Sequence, residues 1–79
     1  MDNTKKRCEG FFTVDYGNPS GTVYGPFDDH IEAMDVMLEI AYCIDDSSKK
    51  YYRTTIKQNG DWVVDYGSHT RFIVIRDIQ

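Results

Sequence analysis

The chain reads as an α+β domain in which one antiparallel sheet of about five strands carries a single helix on one face, in the order ββαβββ. Three observations carry that reading. Only residues 27–46 sustain a helical period, and the segments on either side alternate apolar and polar residues over strand lengths. Those segments are punctuated by dense turn sequences, Gly17-Asn18-Pro19-Ser20-Gly21, Asn59-Gly60 and Gly67-Ser68-His69.

In chain order, residues 1–8 are polar and basic and are expected to fray. Residues 10–16 form a first strand, and 22–24 return as a short second one that Gly25-Pro26 should break. After the helix, 51–58 alternate cleanly, with Tyr51, Arg53, Thr55 and Lys57 on the solvent side and Tyr52, Thr54, Ile56 and Gln58 toward the helix. Asn59-Gly60 predicts a two-residue hairpin into 61–66. The last strand spans 70–77. Its core, Phe72-Ile73-Val74-Ile75, is apolar at every position, as suits a central strand covered on both sides or one in a dimer contact. The repeat of Val14-Asp15-Tyr16-Gly17 as Val64-Asp65-Tyr66-Gly67 reads as shared turn chemistry: Asp outward, Tyr packed at the strand end, Gly free to take positive φ. All 79 residues make one domain.

The helix dominates the expected core. Ile31, Met34, Leu38 and Ala41 form one apolar row, and Ala33, Met37, Ile40 and Ile44 a second beside it. Burying this set is worth roughly 10–20 kcal/mol before opposing costs, at about 1.5–3 kcal/mol per large side chain. Asp29 is the expected N-cap with Glu32 three residues on, a capping box, and the polar run 45–48 should end the helix. The opposite face is acidic. Asp28, Glu32, Asp35 and Glu39 fall within about 60° of one another on a helical wheel, and Asp46 joins them if the helix reaches it. Each neighbouring like-charge pair costs about 0.2–0.5 kcal/mol.

Charge is segregated along the chain. Residues 28–46 hold seven of the 13 acids and no Lys or Arg, a net −7; residues 47–79 carry +3, and 1–27 are neutral. No apolar run approaches the roughly 20 residues of a membrane span. The basic start, with no apolar segment after it, predicts no secretory leader. Cys8 and Cys43 are then expected to be reduced thiols in a cytoplasm, with a bridge between them left open. Cys8, His30, Cys43 and His69 match no metal-ligand spacing, and no nucleophile motif or phosphate loop is present, so no metal, cofactor or catalysis is expected.

The junction Val23-Tyr24-Gly25-Pro26-Phe27-Asp28-Asp29, followed by Glu32-Ala33, looks like the strand-to-helix junction of small phage and bacterial proteins. In size, acidity and sheet-plus-one-helix plan the chain resembles phage-encoded inhibitors of host defence such as anti-CRISPR proteins. That resemblance implies carboxylates presented to the lysines and arginines of a nucleic-acid-binding surface, with Asp28, Glu32, Asp35 and Glu39 in that role.

The leading expectation is therefore a non-catalytic protein-binding module. Its acidic helix face, with Tyr42 and Asp46 at the margin, would meet a basic surface of a host protein or nucleoprotein complex. A second expectation is single-stranded nucleic-acid binding through Tyr51, Arg53 and Lys57, set against a pI near 4.9 that disfavours phosphate. A third is a homodimer in which the acidic helix packs on the basic strands of its twin.

Overall fold

A computed structural model describes residues 7–15, 18–44, 52–68 and 70–78. Its elements are β1 (Cys8–Thr13), β2 (Val23–Phe27), α1 (His30–Ile44), β3 (Arg53–Ile56), β4 (Trp62–Asp65) and β5 (Phe72–Asp77). The five strands form one antiparallel sheet in the order β2-β1-β5-β4-β3, with α1 across one face. The ββαβββ expectation holds, and β5 is central. Ile73, Ile75 and Val74 are all buried, the first two beneath the helix and Val74 on the other face between Phe11 and Val63.

The helix lies close to the sheet because Gly10 on β1 has no side chain. A Cβ there would stand 2.8 Å from Met37 Cγ, and Met37 is wholly enclosed. Phe12, Val64, Tyr66, Ile73 and Ile75 complete the core around Ala33, Met37, Leu38 and Ala41. Phe12 meets Tyr24 and Tyr66 edge to face at 6.5 and 6.0 Å, geometry that satisfies the ring quadrupoles.

Several expectations need correction. Cys8 is not in a frayed end: it opens β1, pairs in register with Asp77, and is fully buried. Gly25-Pro26 does not break β2, which runs through it to Phe27. This is tolerated because β2 is an edge strand, where a missing N–H removes no ladder bond on the outer side, and Gly25 takes φ 129°. The β1–β2 ladder has a shift between Cys8 and Gly10 to accommodate it.

The β3–β4 turn is a three-residue loop instead of the two-residue one. Gly60 N–H donates to Lys57 C=O (3.0 Å) and Lys57 N–H to Asp61 C=O (2.8 Å). Gly60 alone supplies the left-handed step, at φ 95°, as in a type I turn with a glycine bulge.

Ile31 and Ile44 are exposed, at 56% and 52%. The sheet covers only the strip Ala33–Met37–Leu38–Ala41, with Met34, Ile40 and Tyr42 half-buried beside it. Two of the four buried positions are alanines. The large helical side chains that do reach the core contribute roughly 5–10 kcal/mol at about 1.5–3 each.

Candidate functional site: the acidic helix ridge

The first turn of α1 is capped as its sequence requires. Asp29 Oδ1 accepts from Glu32 N–H at 2.8 Å, and Glu32 Oε1 accepts from Asp28 N–H at 3.0 Å. This is a capping box in which the glutamate reaches one residue further back than usual. Glu32 therefore has a structural task as well as a charge. Its placement near the positive end of the helix dipole also lowers the cost of the ridge there.

Asp28, Glu32, Asp35 and Glu39 are all exposed. On the wheel Glu32, Asp35 and Glu39 lie opposite the buried strip and point away from the sheet. Asp28, expected on the same helical face, instead precedes α1 and its Asp29 cap in a bend, so the helix does not set its direction. Among the described residues no lysine or arginine forms an ion pair with any of the four. Arg76 and Arg71 are engaged elsewhere. Arg76 Nε donates to Glu9 Oε2 at 2.7 Å and its guanidinium lies 4.7 Å from the Phe11 ring centre; that of Arg71 lies 5.5 Å from the Phe12 ring centre. The helix holds Glu32, Asp35 and Glu39 on one face, and all four carboxylates face water. Tyr42 is half-buried at the margin of this face, and burial, with neighbouring Tyr52, pushes its phenol above its ordinary pKa. Asp46 lies outside the described residues.

The second candidate set occupies the opposite side of the molecule. Arg53, Thr55 and Lys57 share the helix-free sheet face with Val63, Asp65 and Phe72, lining an open groove of about 330 Å³. Thr54 faces the helix, its Oγ1 3.4 Å from Met34 Sδ, so the expected alternation of this strand holds. Tyr51 lies outside the described residues. Arg53 stands directly across from Asp65 in the β3–β4 register, so the groove is of mixed charge.

One cluster escapes sequence reasoning. His30, the first residue of α1, stacks on Trp62 with ring centres 5.1 Å apart. Its Nε2 is 3.3 Å from Asp77 Oδ1, close enough for an ion pair when the ring is protonated but not aligned as a hydrogen bond. Cys8 is next to this site through its register partner Asp77, and its thiol points at Phe27 C=O (3.9 Å). A cysteine, a histidine and an aspartate gathered this way invite comparison with nucleophilic sites, but the thiol's chemistry points the other way. Burial pushes the Cys8 thiol above its ordinary pKa, and the surrounding charges of Asp77, Asp29, Glu32 and Asp28 push it further. A reactive cysteine needs the opposite environment. The cluster pins the start of α1 to β4 and β5. Only the fold brings residues 8, 30, 62 and 77 together, and no spacing in the sequence signals it. Cys8 and Cys43 are both free thiols.

Among the described residues no group of three or more His, Cys, Asp and Glu side chains could hold a metal ion, and no helix is long and apolar enough to cross a membrane. Compared with known protein families, characterised proteins and solved structures, the chain matches none.

Proposed function

We propose that the domain is a non-catalytic binding module that docks its acidic helix ridge on a basic surface of another protein. The observation that supports this is the display of Glu32, Asp35 and Glu39 in water, opposite the sheet, beside exposed Asp28 just ahead of the helix, with no described cation of the same chain upon them. Three carboxylates on one helix, with Asp28 just ahead of its cap, raise the local concentration of a cationic partner and steer its approach, so association should be fast and should weaken with salt. The resemblance to phage-encoded inhibitors makes a nucleic-acid-binding protein of a host defence system the class of partner in this reading, met in the cytoplasm. The ridge would occupy sites otherwise filled by phosphates.

The test is capture of a partner from a host lysate by the wild-type domain and by a variant carrying Asp28→Lys, Asp35→Lys and Glu39→Lys with Glu32→Gln. Glutamine at position 32 keeps the capping acceptor, so the variant should fold. Loss of the partner by the variant, and from the wild type in about 0.5 M salt, is the expected result. Equal capture by both proteins removes the ridge from the function.

The groove on the other face favours a second reading, single-stranded nucleic acid bound along Arg53 and Lys57 with a base against Phe72. Asp65 opposite Arg53 weighs against it. A fluorescence titration with labelled oligonucleotides at low salt separates the two. No binding below about 100 μM rejects this reading, since phosphate contacts dominate such affinities.

A further inference from the structure

The two edges of the sheet differ. β2 contains Gly25-Pro26 and sits against an irregular stretch of β1, devices that keep a sheet edge from pairing. β3, the other edge, contains no proline and pairs with β4 residue for residue: Arg53 with Asp65, Thr54 with Val64, Thr55 with Val63 and Ile56 with Trp62. Because Lys57 N–H donates to Asp61 C=O, the pair Lys57–Asp61 is of the hydrogen-bonded kind. Alternation then makes Thr55 and Arg53 hydrogen-bonded partners of β4. Tyr52, Thr54 and Ile56 direct their N–H and C=O groups away from the sheet. Among the described residues no strand lies beyond them. Tyr52 and Ile56 also leave large apolar side chains uncovered on the helix side, 51% and 63% exposed.

We propose that β3 pairs antiparallel with β3 of a second copy of this chain, about a two-fold axis through Thr54, to form a continuous ten-stranded sheet. The outward groups and the side chains select this register together. Thr54 pairs with its own mate, and Tyr52 lies opposite the other copy's Ile56 at both ends, an aromatic–β-branched match repeated by symmetry. Centring the axis on Thr55 instead would set Arg53 opposite Lys57, and centring it on Arg53 would set arginine opposite arginine, like-charge pairs that destabilise a ladder. Centring it on Ile56 runs the partner into the Gln58–Gly60 loop. Only the Thr54 register joins apolar to apolar without opposing cations. The interface is isologous and closes at two copies, because β2 cannot extend the sheet. A two-fold axis normal to the sheet puts both helices on one side, so both acidic ridges point the same way, and the two grooves meet on the other side.

Sedimentation velocity from about 10 μM to about 1 mM chain tests this. The expected result is a two-chain species whose dissociation constant changes by less than about threefold between low and high salt, since backbone bonds and apolar pairs hold it. The double substitution Tyr52→Lys with Ile56→Lys sets lysine opposite lysine at both ends. Both positions are exposed in the single copy, so the fold should survive, as circular dichroism checks, while dimerisation weakens at least about a hundredfold. In a Cys43→Ser background, Thr54→Cys should cross-link on oxidation and Thr55→Cys should not, because its mates would stand more than about 7 Å apart. A chain that is monomeric throughout, a dimer indifferent to the double substitution, larger species that dissolve in salt, or cross-linking at position 55 instead of 54 each overturns the proposal.

Discussion

Gly10→Ala tests how closely the helix is set on the sheet, and its effect can be worked out from distances. The added methyl would stand 2.8 Å from Met37 Cγ, 3.1 Å from Met37 Sδ and 3.7 Å from Val74 C=O. The strand cannot back away, since β1 is paired on both sides, Gly10 with Tyr24 and with Ile75. Met37 must move, and it is fully enclosed. Overpacking of this kind costs about 1–3 kcal/mol. Alanine offsets about 0.4–1 kcal/mol of that by restricting the unfolded chain. The net loss of about 0–2.6 kcal/mol lowers Tm by about 4–8 °C per kcal/mol in a domain of this size.

The decisive measurement is a double-mutant cycle by urea and thermal denaturation. Met37→Ala alone opens a cavity and costs about 2–5 kcal/mol. In that background the methyl at position 10 enters vacated space, so the pair should be less destabilised than the sum of the singles by at least about 1 kcal/mol. Singles that add to within about 0.5 kcal/mol refute the close approach of α1 to β1 at this point.

Three further outcomes follow from the ridge and the thiols. Asp35→Lys replaces like-charge neighbours of Glu32 and Glu39 with opposite pairs and should raise stability by about 0.5–1.5 kcal/mol at low salt, a gain that shrinks in about 1 M salt; thermal melts at the two ionic strengths check it. A thiol reagent should label exposed Cys43 in the native protein and reach Cys8 only through unfolding, which mass spectrometry of timed samples reads directly. Stability should decline in alkali. The Cys8 and Tyr42 pKa values are raised in the folded state above 9.0 and 10.0, so folded protein holds protons that the unfolded chain releases. Their contribution is intact below those values and is lost as pH rises through the folded pKa values; urea midpoints against pH should show the fall beginning near pH 9.0, and Cys8→Ala should remove its first part.

The element order was legible because the local signals agreed with one another. The helical period, the capping pair Asp29 and Glu32, and glycines at φ 95° and 94° (Gly60 and Gly67) all act over a few residues. So does the Asp65 carboxylate that accepts from Gly67 N–H at 2.9 Å. Tyr66, read as packed at its strand end, is buried there.

What the sequence concealed depends on distant neighbours. β2 passes through Gly25-Pro26 only because it lies at an edge, and edge position is a property of strand order. Ile31 has the right period for the core yet lies on the helix flank that the sheet does not cover. Cys8 looks like part of a polar tail until its pairing with Asp77 is known. The ridge was legible as a pattern of carboxylates. That no described cation pairs with it depended in part on where Arg71 and Arg76 went, onto Phe12, Phe11 and Glu9.

That disposition of charge also bears on self-association. The ridge and the groove of Arg53 and Lys57 lie on opposite faces of one body. An acidic helix laid on the basic strands of a second copy would leave that copy's own ridge pointing outward and the first copy's groove empty. Contact between two different patches on opposite sides is heterologous, so it propagates into a stack instead of closing as a dimer. Each interface of such a stack would also have to desolvate the ridge against a groove that already contains Asp65. Pairing through β3 asks for neither, because it buries a neutral edge and leaves both charged faces in water. If the chain pairs with itself, the edge is where the geometry closes, and the ridges remain available, two abreast, for a cation supplied by another molecule.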